Sequence, residues 1–306
     1  MLIRVLGSAA GGGFPQWNCG CPNCVGVRRG TLRAQSRTQE SVAVSADGNS
    51  WFLLNASPEI RQQIESFDKL HPRSLRDTPI QGIVITNGDL DHCMGLLSLR
   101  ESQPLALYST ERILKGFSEG NVLYRTLQRF EGQAAWHLLE LGAAEAPLRL
   151  LDGSASGLSL RAFAAPGKPA LHLDQSTAQS GDNFGVVIAD QRTGKSLAYI
   201  SAVAASSAEV VAAASAADAV FFDGTFWSSD ELIALGASTR RAEDMAHWPI
   251  SGAHGSLRFL AELSSARRVY IHINNTNPIL RDDSSERAEL HAAGVEVAFD
   301  GMELEL

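Results

Sequence analysis

The 306-residue chain has no stretch able to cross a bilayer. Its longest apolar-leaning run, residues 210–222, is broken by Ser215 and Asp218. That falls short of the ~18 apolar residues a spanning helix needs. The opening Met1-Leu-Ile-Arg-Val-Leu-Gly is too short an apolar run for a signal peptide and has no basic segment before it. A soluble, cytoplasmic protein without membrane insertion is therefore expected. Excess basic charge is also missing: 26 Lys and Arg face 34 Asp and Glu, a net charge of −8. This argues against a nonspecific binder of nucleic acid or of anionic membranes. No Walker motif, G-x-S-x-G or strand-linked G-x-G-x-x-G is present, and Gly11-Gly12-Gly13 leads into no helical pattern, so it is not a phosphate loop. Cysteine is scarce, with four in all, and three of them (Cys19, Cys21, Cys24) lie within six positions while Cys93 stands apart. Such clustering fits metal binding in a reducing compartment better than a disulfide framework.

With 44% hydrophobic and 20% charged residues the chain can bury a full core, which excludes disorder. Leu2 to Leu6 reads as an edge strand. Val42–Val44 and Trp51–Leu54 read as a hairpin through Asp47-Gly48-Asn49. A helix is expected after Ser57 as N-cap, with Pro58 in its first position. Ile80–Thr86 reads as a buried strand, His92–Glu101 as a helix, Pro104–Tyr108 as the next strand and Glu111–Phe130 as helical. Several short strands are expected between Trp136 and Ala162, then a loop from Lys168 to Asn183. Phe184–Ala189 and Ser196–Ile200 form a second predicted hairpin, followed by a helix over Ser207–Ala217 and a strand over Ala219–Phe222. Gly255–Leu263 and Leu280–Ala293 read as helices and Arg268–Ile273 as a strand, and a closing hairpin is expected through Asp300-Gly301. Strands and helices alternate to the end with no repeat, linker or composition break, so a single α/β domain over 1–306 is the simpler reading.

Five segments can carry chemistry. Thr86-Asn-Gly-Asp89-Leu-Asp91-His92 delivers carboxylates and an imidazole from the end of an apolar strand, the oxygen and nitrogen donors a divalent metal needs. One Asp there could simply cap the helix, but capping does not account for two Asp and a His together. Ile271-His272-Ile-Asn-Asn275-Thr-Asn-Pro278 puts a His and three Asn at another strand end. Such groups need partners when buried, although Asx turns around a core histidine would serve equally well. Phe222-Asp223-Gly-Thr-Phe-Trp227 places a carboxylate among aromatics, where a turn Asp is the plainer reading. His247-Trp-Pro-Ile-Ser-Gly-Ala-His254 offers two histidines in a loop suited to proton transfer or substrate binding. Cys19-x-Cys21-x-x-Cys24 brings three thiolates within reach of one zinc, which needs one further ligand; a redox pair with a spare thiol competes with that reading.

Together these segments resemble the metallo-β-lactamase superfamily, whose loop H-x-H-x-D-H aligns here with Asn87-x-Asp89-x-Asp91-His92. Only the last two positions match. Ser201 stands where the superfamily has its bridging Asp, its third site-one His would fall near Gln179, and His272 stands at the final metal His. The resemblance is closer to the family of coenzyme PQQ synthesis protein B. It is carried by Phe14-Pro-Gln-Trp-Asn-Cys19-x-Cys21-x-x-Cys24, Asp89-x-Asp91-His92, Phe222-Asp-Gly-Thr225, His247-x-Pro-x-Ser-Gly252, Ile271-His-Ile-Asn-Asn-Thr-Asn-Pro278 and Gly294-Val-Glu-Val-Ala-x-Asp-Gly301, from one end of the chain to the other.

The resemblance implies an αβ/βα four-layer sandwich with two mixed β-sheets. It also implies a role in making pyrroloquinoline quinone (PQQ), a redox cofactor built from a Glu and a Tyr of a precursor peptide. Two activities follow from it: iron- and O2-dependent hydroxylation of the tyrosine ring in the cross-linked Glu–Tyr intermediate, or carriage of the cofactor or its precursor toward the periplasm. A metal-dependent hydrolase is the third class. Loss of the site-one His residues and bridging Asp dismantles a two-metal hydrolase and leaves Asp91, His92 and His272. Two His and one carboxylate with open positions suit oxygen-activating non-haem Fe(II). Asp89 or Asp223 would complete that shell or orient a ligand, and His247 would act as acid/base toward the phenol. Cys19, Cys21 and Cys24 would hold a structural zinc. A phosphodiesterase-like branch has its fourth zinc ligand three positions after the active-site His, which is Asn275 here. Other PQQ biosynthesis proteins are candidate partners, and Cys93 reads as a helix-packing residue.

Overall fold

The computed structural model describes residues 1–101, 103–173, 178–263 and 267–306. Among the described residues, fourteen strands form two seven-stranded mixed sheets. The first comprises β1 (Leu2–Gly7), β2 (Ser41–Ser45), β3 (Trp51–Leu54), β4 (Ile80–Val84), β5 (Leu105–Ser109), β6 (Ala134–Leu138) and β14 (Glu303–Glu305), in the order β14-β1-β2-β3-β4-β5-β6. The second comprises β7 (Ala146–Arg149), β8 (Ala155–Ala164), β9 (Phe184–Asp190), β10 (Ser196–Ile200), β11 (Ala219–Asp223), β12 (Arg267–Ile271) and β13 (Val295–Val297), in the order β13-β12-β11-β10-β9-β8-β7. In each sheet an antiparallel half meets a parallel half, at β3–β4 in the first and at β10–β11 in the second.

Strand alternation explains the layering. On β11 and β12, Ala219, Phe221, Val269 and Ile271 point into the core between the sheets. Their neighbours Val220, Phe222 and Tyr270 point outward onto helices α5 (Ala208–Ala216), α7 (Ser256–Glu262) and α8 (Ser285–Ala292). Both faces of this sheet half are covered, and its strands are continuously apolar as parallel strands require. This is the metallo-β-lactamase fold.

Several local expectations are corrected. β1 is an inner strand, because β14 returns from the far end of the chain to cover its other edge. The turn at Asp300-Gly301 does not close a hairpin: β13 joins β12 in one sheet and β14 joins β1 in the other, while the Asp300 carboxylate accepts from Ser8 and Thr38. Ser57 caps no helix. Helix α2 (Ile60–Glu65) starts after Glu59, without a side-chain cap. The expected helix from His92 is a single turn, α3 (Leu90–Cys93), continued as 3-10 turns over Met94–Leu99. The 111–130 segment splits into α4 (Glu111–Ser118) and a 3-10 stretch over Val122–Leu127. The predicted loop at 168–183 carries no helix or strand in its described part; its residues 174–177 lie outside the described residues.

Candidate functional site

The candidate ligands stand where β4, β11 and β12 end. The turn after β12 serves two clusters at once. His272 faces a cavity of about 470 Å³ also lined by Asp89, Asp91, His92 and His247. Asn275, three residues on, faces the cysteines. The turn leaves β12 with His272 at φ 58°, a left-handed conformation costly for a residue with a side chain. Among the described residues, the other non-glycine residues with positive φ are Asn55 and Ala246. Asn55 contacts His92 and Ala246 directly precedes His247, so all this strain sits at one site. Gly224 makes the close approach possible: a Cβ there would stand 2.9 Å from Tyr270 Cβ and 3.0 Å from Ile271 O.

The three Asn of the turn each have work. Asn274 donates to Thr276 Oγ1 at 2.6 Å, and Asn277 donates to Gly224 O at 2.9 Å. The Asn275 amide nitrogen stands 3.1, 3.6 and 3.3 Å from the sulfurs of Cys19, Cys21 and Cys24. The buried Asn23 of helix α1 (Pro22–Arg29) donates to Asn275 O and Asn277 O, fastening the turn to the cysteine segment. A tetrahedral zinc with sulfur ligands and one oxygen ligand puts that oxygen roughly 3.6 Å from each sulfur. Turning the Asn275 amide over, a choice its hydrogen bonds leave free, places its oxygen at that vertex. Burial pushes the Cys21 thiol up to about 11, and Cys19 and Cys24 beside it push the same way. A bound cation would offset that cost. The donor set therefore fits zinc and leaves no open position.

The second cluster differs in kind. Asp91 Oδ2 lies 3.1 Å from His272 Nε2 and 3.5 Å from His92 Nε2, and these three donors lie within 4.8 Å of one another. Burial pulls the Asp91 carboxyl upward, but His92 and His272 outweigh it and hold it well below the usual carboxylate range. Burial opposes charge on His272, yet its hydrogen bond to Asp91 and the charges of Asp91, Asp223 and Glu40 raise it to about 9. Burial lowers His92 to about 4 despite Asp91. Two imidazoles and one carboxylate facing a cavity fit a divalent cation with open positions. Asp89 lines the cavity but is not among these three donors. Burial and the charge of Asp91 raise its carboxyl, which accepts from the Leu171 backbone.

Asp223 touches no part of the cavity and acts from behind. Its Oδ2 accepts from Val203 N–H at 2.9 Å and from His247 Nδ1 at 2.8 Å; its Oδ1 accepts from Thr225 N–H and Oγ1. It is thus a positioning residue. Burial alone would raise it, but His247, His272 and Thr225 hold it low. The proton on His247 Nδ1 is fixed by Asp223, so Nε2 is left for the cavity. Thr225 extends the same relay. Its hydroxyl donates to Asp223 at 2.6 Å and accepts from His272 Nδ1 at 2.8 Å, leaving His272 Nε2 for a metal.

Sequence reasoning assigned no role to Thr225, Asn55 or Glu40. The Asn55 amide oxygen accepts from Thr86, and its nitrogen lies 2.9 Å from Glu40 Oε2 and 2.7 Å from His92 Nδ1. The Asn55 amide thus links the outer ring nitrogen of His92 to Glu40, whose Oε2 lies 3.8 Å from that nitrogen, and leaves Nε2 toward the cavity. Glu40 is fully buried with one oxygen unpartnered, and burial raises its carboxyl to about 8. Asn55 follows an apolar strand directly, the same signal that marked Thr86 and His272. At the vacant superfamily positions, Asn87 bridges to Asn183; Gln179 is exposed and Ser201 is buried with its hydroxyl unpartnered. Cys93 is buried in packing, its thiol 3.5 Å from Gly88 O. No helix among the described residues is long and apolar enough to cross a membrane.

A family model described as "Beta-lactamase superfamily domain" matches residues 50–273. Coenzyme PQQ synthesis protein B of Stutzerimonas stutzeri is 46% identical over the full length of both chains. A crystal structure of zinc-bound PqqB from Methylobacterium extorquens superposes with a TM-score of 0.91 at 42% identity, covering both chains completely. A diphosphatase of the PhnP family, 18% identical with a TM-score of 0.67, covers 100% of this chain and is itself covered to 97%; it shares the fold. Full-length identity at this level, on the same fold, establishes that the chain belongs to the coenzyme PQQ synthesis protein B family.

Proposed function

We propose that the chain acts in PQQ biosynthesis as an iron- and oxygen-dependent hydroxylase of the tyrosine ring in the cross-linked Glu–Tyr intermediate. The observation that carries this reading is the cavity cluster of Asp91, His92 and His272, beside superfamily metal positions that here hold Asn87, Gln179 and Ser201. The other mixed group beside it among the described residues, Asp223, His247 and His272, shares His272 with the first, and its Asp223 and His247 already pair with each other at 2.8 Å; this disfavours water attack by two metals, whereas Fe(II) in the Asp91–His92–His272 triad would supply oxygen activation. Asp91, His92 and His272 would hold the iron. Cys19, Cys21, Cys24 and Asn275 would hold a structural zinc, in keeping with a zinc-bound relative.

The chain's own groups supply the rest. His247, fixed by Asp223, presents Nε2 to the cavity and takes the phenol proton. Its ring stacks on that of His272, which sets it beside the triad. Phe226 packs edge-on against His247 and restricts its rotation.

Oxygen uptake by Fe(II)-reconstituted protein with the cross-linked substrate tests this. Uptake coupled to a hydroxylated product is expected, and H247A should keep its metals while turnover falls by about 100-fold or more. Substrate binding without oxygen consumption would instead support a carrier.

A further inference from the structure

The mechanism leaves two cations of the cavity unused. Lys168 and Arg240 both line it. Lys168 is half-buried, and its ammonium makes no hydrogen bond or ion pair with any described residue. It is held firmly: Pro166 and Pro169 flank it, and a Cβ on Gly167 would meet Asn183 at 2.5 Å, so the segment lies flat on that side chain. Arg240 is exposed; its guanidinium donates to the main-chain oxygen of Asp244 and pairs with no described carboxylate. Lys168 feels the charge of Asp89 first, then those of Arg240 and Asp91. Asp89 offsets part of its charge from a distance, but a half-buried ammonium with no hydrogen-bond acceptor, sharing a cavity with a second cation, is completed best by an anionic group that enters the cavity.

We infer that Lys168 and Arg240 form a carboxylate clamp that takes the acidic end of a polycarboxylate substrate and so turns its phenol toward His247. This rests on the proposed function, since it assigns that substrate's orientation. Charge sets the direction. Asp89 and Asp91 at the floor repel a carboxylate, while Lys168 and Arg240 attract one. A cross-linked Glu–Tyr compound carries its carboxylates on the amino-acid backbones and the glutamyl side chain, and its phenol on the ring. Both ends are then placed by complementary groups. Esterified or decarboxylated analogues lose the clamp and keep only ring contacts.

The test is calorimetric titration of zinc-reconstituted protein, which cannot turn over, with the synthetic cross-linked Glu–Tyr diamino acid and with its fully methyl-esterified form. K168Q and R240Q should each weaken binding of the acid by about tenfold and the double variant by more. Metal content and melting temperature should stay at the wild-type values. The ester should bind weakly and equally to all four proteins. Variants that bind the acid as tightly as wild type overturn the clamp and leave the proposed function standing. An equal loss for acid and ester overturns it too, since cavity shape rather than charge would then be at work. A wild-type protein that binds neither compound removes the proposed function and the clamp with it.

Discussion

One turn, His272 to Asn277, feeds two ligand clusters that have opposite designs. The cysteine cluster is closed. Cys24 is fully buried, Cys19 and Cys21 are partly so, and three sulfurs with one amide stand where a tetrahedral zinc would need four donors. The cavity cluster is open. Its donors are hard and mixed, they face a space of about 470 Å³, and each imidazole is held from behind, His272 by Thr225 and His92 by Asn55. A closed soft site holds chain together, and an open hard site leaves room for reactants. Their separation by three residues teaches more: Asn23 and the cysteines hold Asn275 and Asn277, and the same turn carries His272 in its strained conformation. The closed site thus supports the backbone on which the open one is built.

Breaking the closed site should have the largest effect. C21S/C24S should lose its zinc and lower Tm by about 10 °C or more. It should also weaken cavity metal binding at least about tenfold through the displaced His272. Unchanged cavity affinity in this variant would show that the two clusters are independent. Metal titration followed by elemental analysis reads both.

Next come the groups behind the open site. T225V keeps the shape but leaves His272 Nδ1 and Asp223 Oδ1 without their shared hydroxyl. E40Q removes the carboxyl that accepts from the Asn55 amide held against His92 Nδ1. Each should weaken cavity metal affinity by roughly 10- to 100-fold while zinc at the cysteines stays bound. Equal losses at both sites would mean general loosening rather than ligand orientation.

The pH dependence of cavity uptake tests the pairing within the open site itself. His272 is raised to about 9, so in metal-free protein at neutral pH its imidazole is protonated. A metal must displace that proton, and apparent affinity should rise about tenfold per pH unit up to roughly 9, then flatten. Calorimetry in two buffers of different ionisation enthalpy counts the proton released. No release at pH 7 would contradict the Asp91–His272 pairing.

Much of this was legible in the sequence, because ligands at strand ends leave a local signature. An apolar run that stops at Asp, His or Asn marked the loops after β4, β11 and β12, and C-x-C-x-x-C marked the closed site. Groups that act across the fold left no such trace. Glu40 and Asn55 reach His92 only because β2, β3 and β4 lie side by side. Lys168 and Arg240 come from irregular loops without any period. The closing turn misled for a related reason: Asp300-Gly301 has hairpin chemistry, but Ser8 and Thr38 bind Asp300 and the strands on either side belong to different sheets. Local turn chemistry fixed the bend and tertiary pairing chose the partners.

The most direct test of two separate sites is elemental analysis of anaerobically prepared, Fe(II)-reconstituted wild type beside a D91A/H92A variant. The account predicts one zinc and one iron per wild-type chain, and a variant that keeps the zinc alone. A variant whose metal content equals that of wild type would place no metal at the cavity cluster and contradict the account.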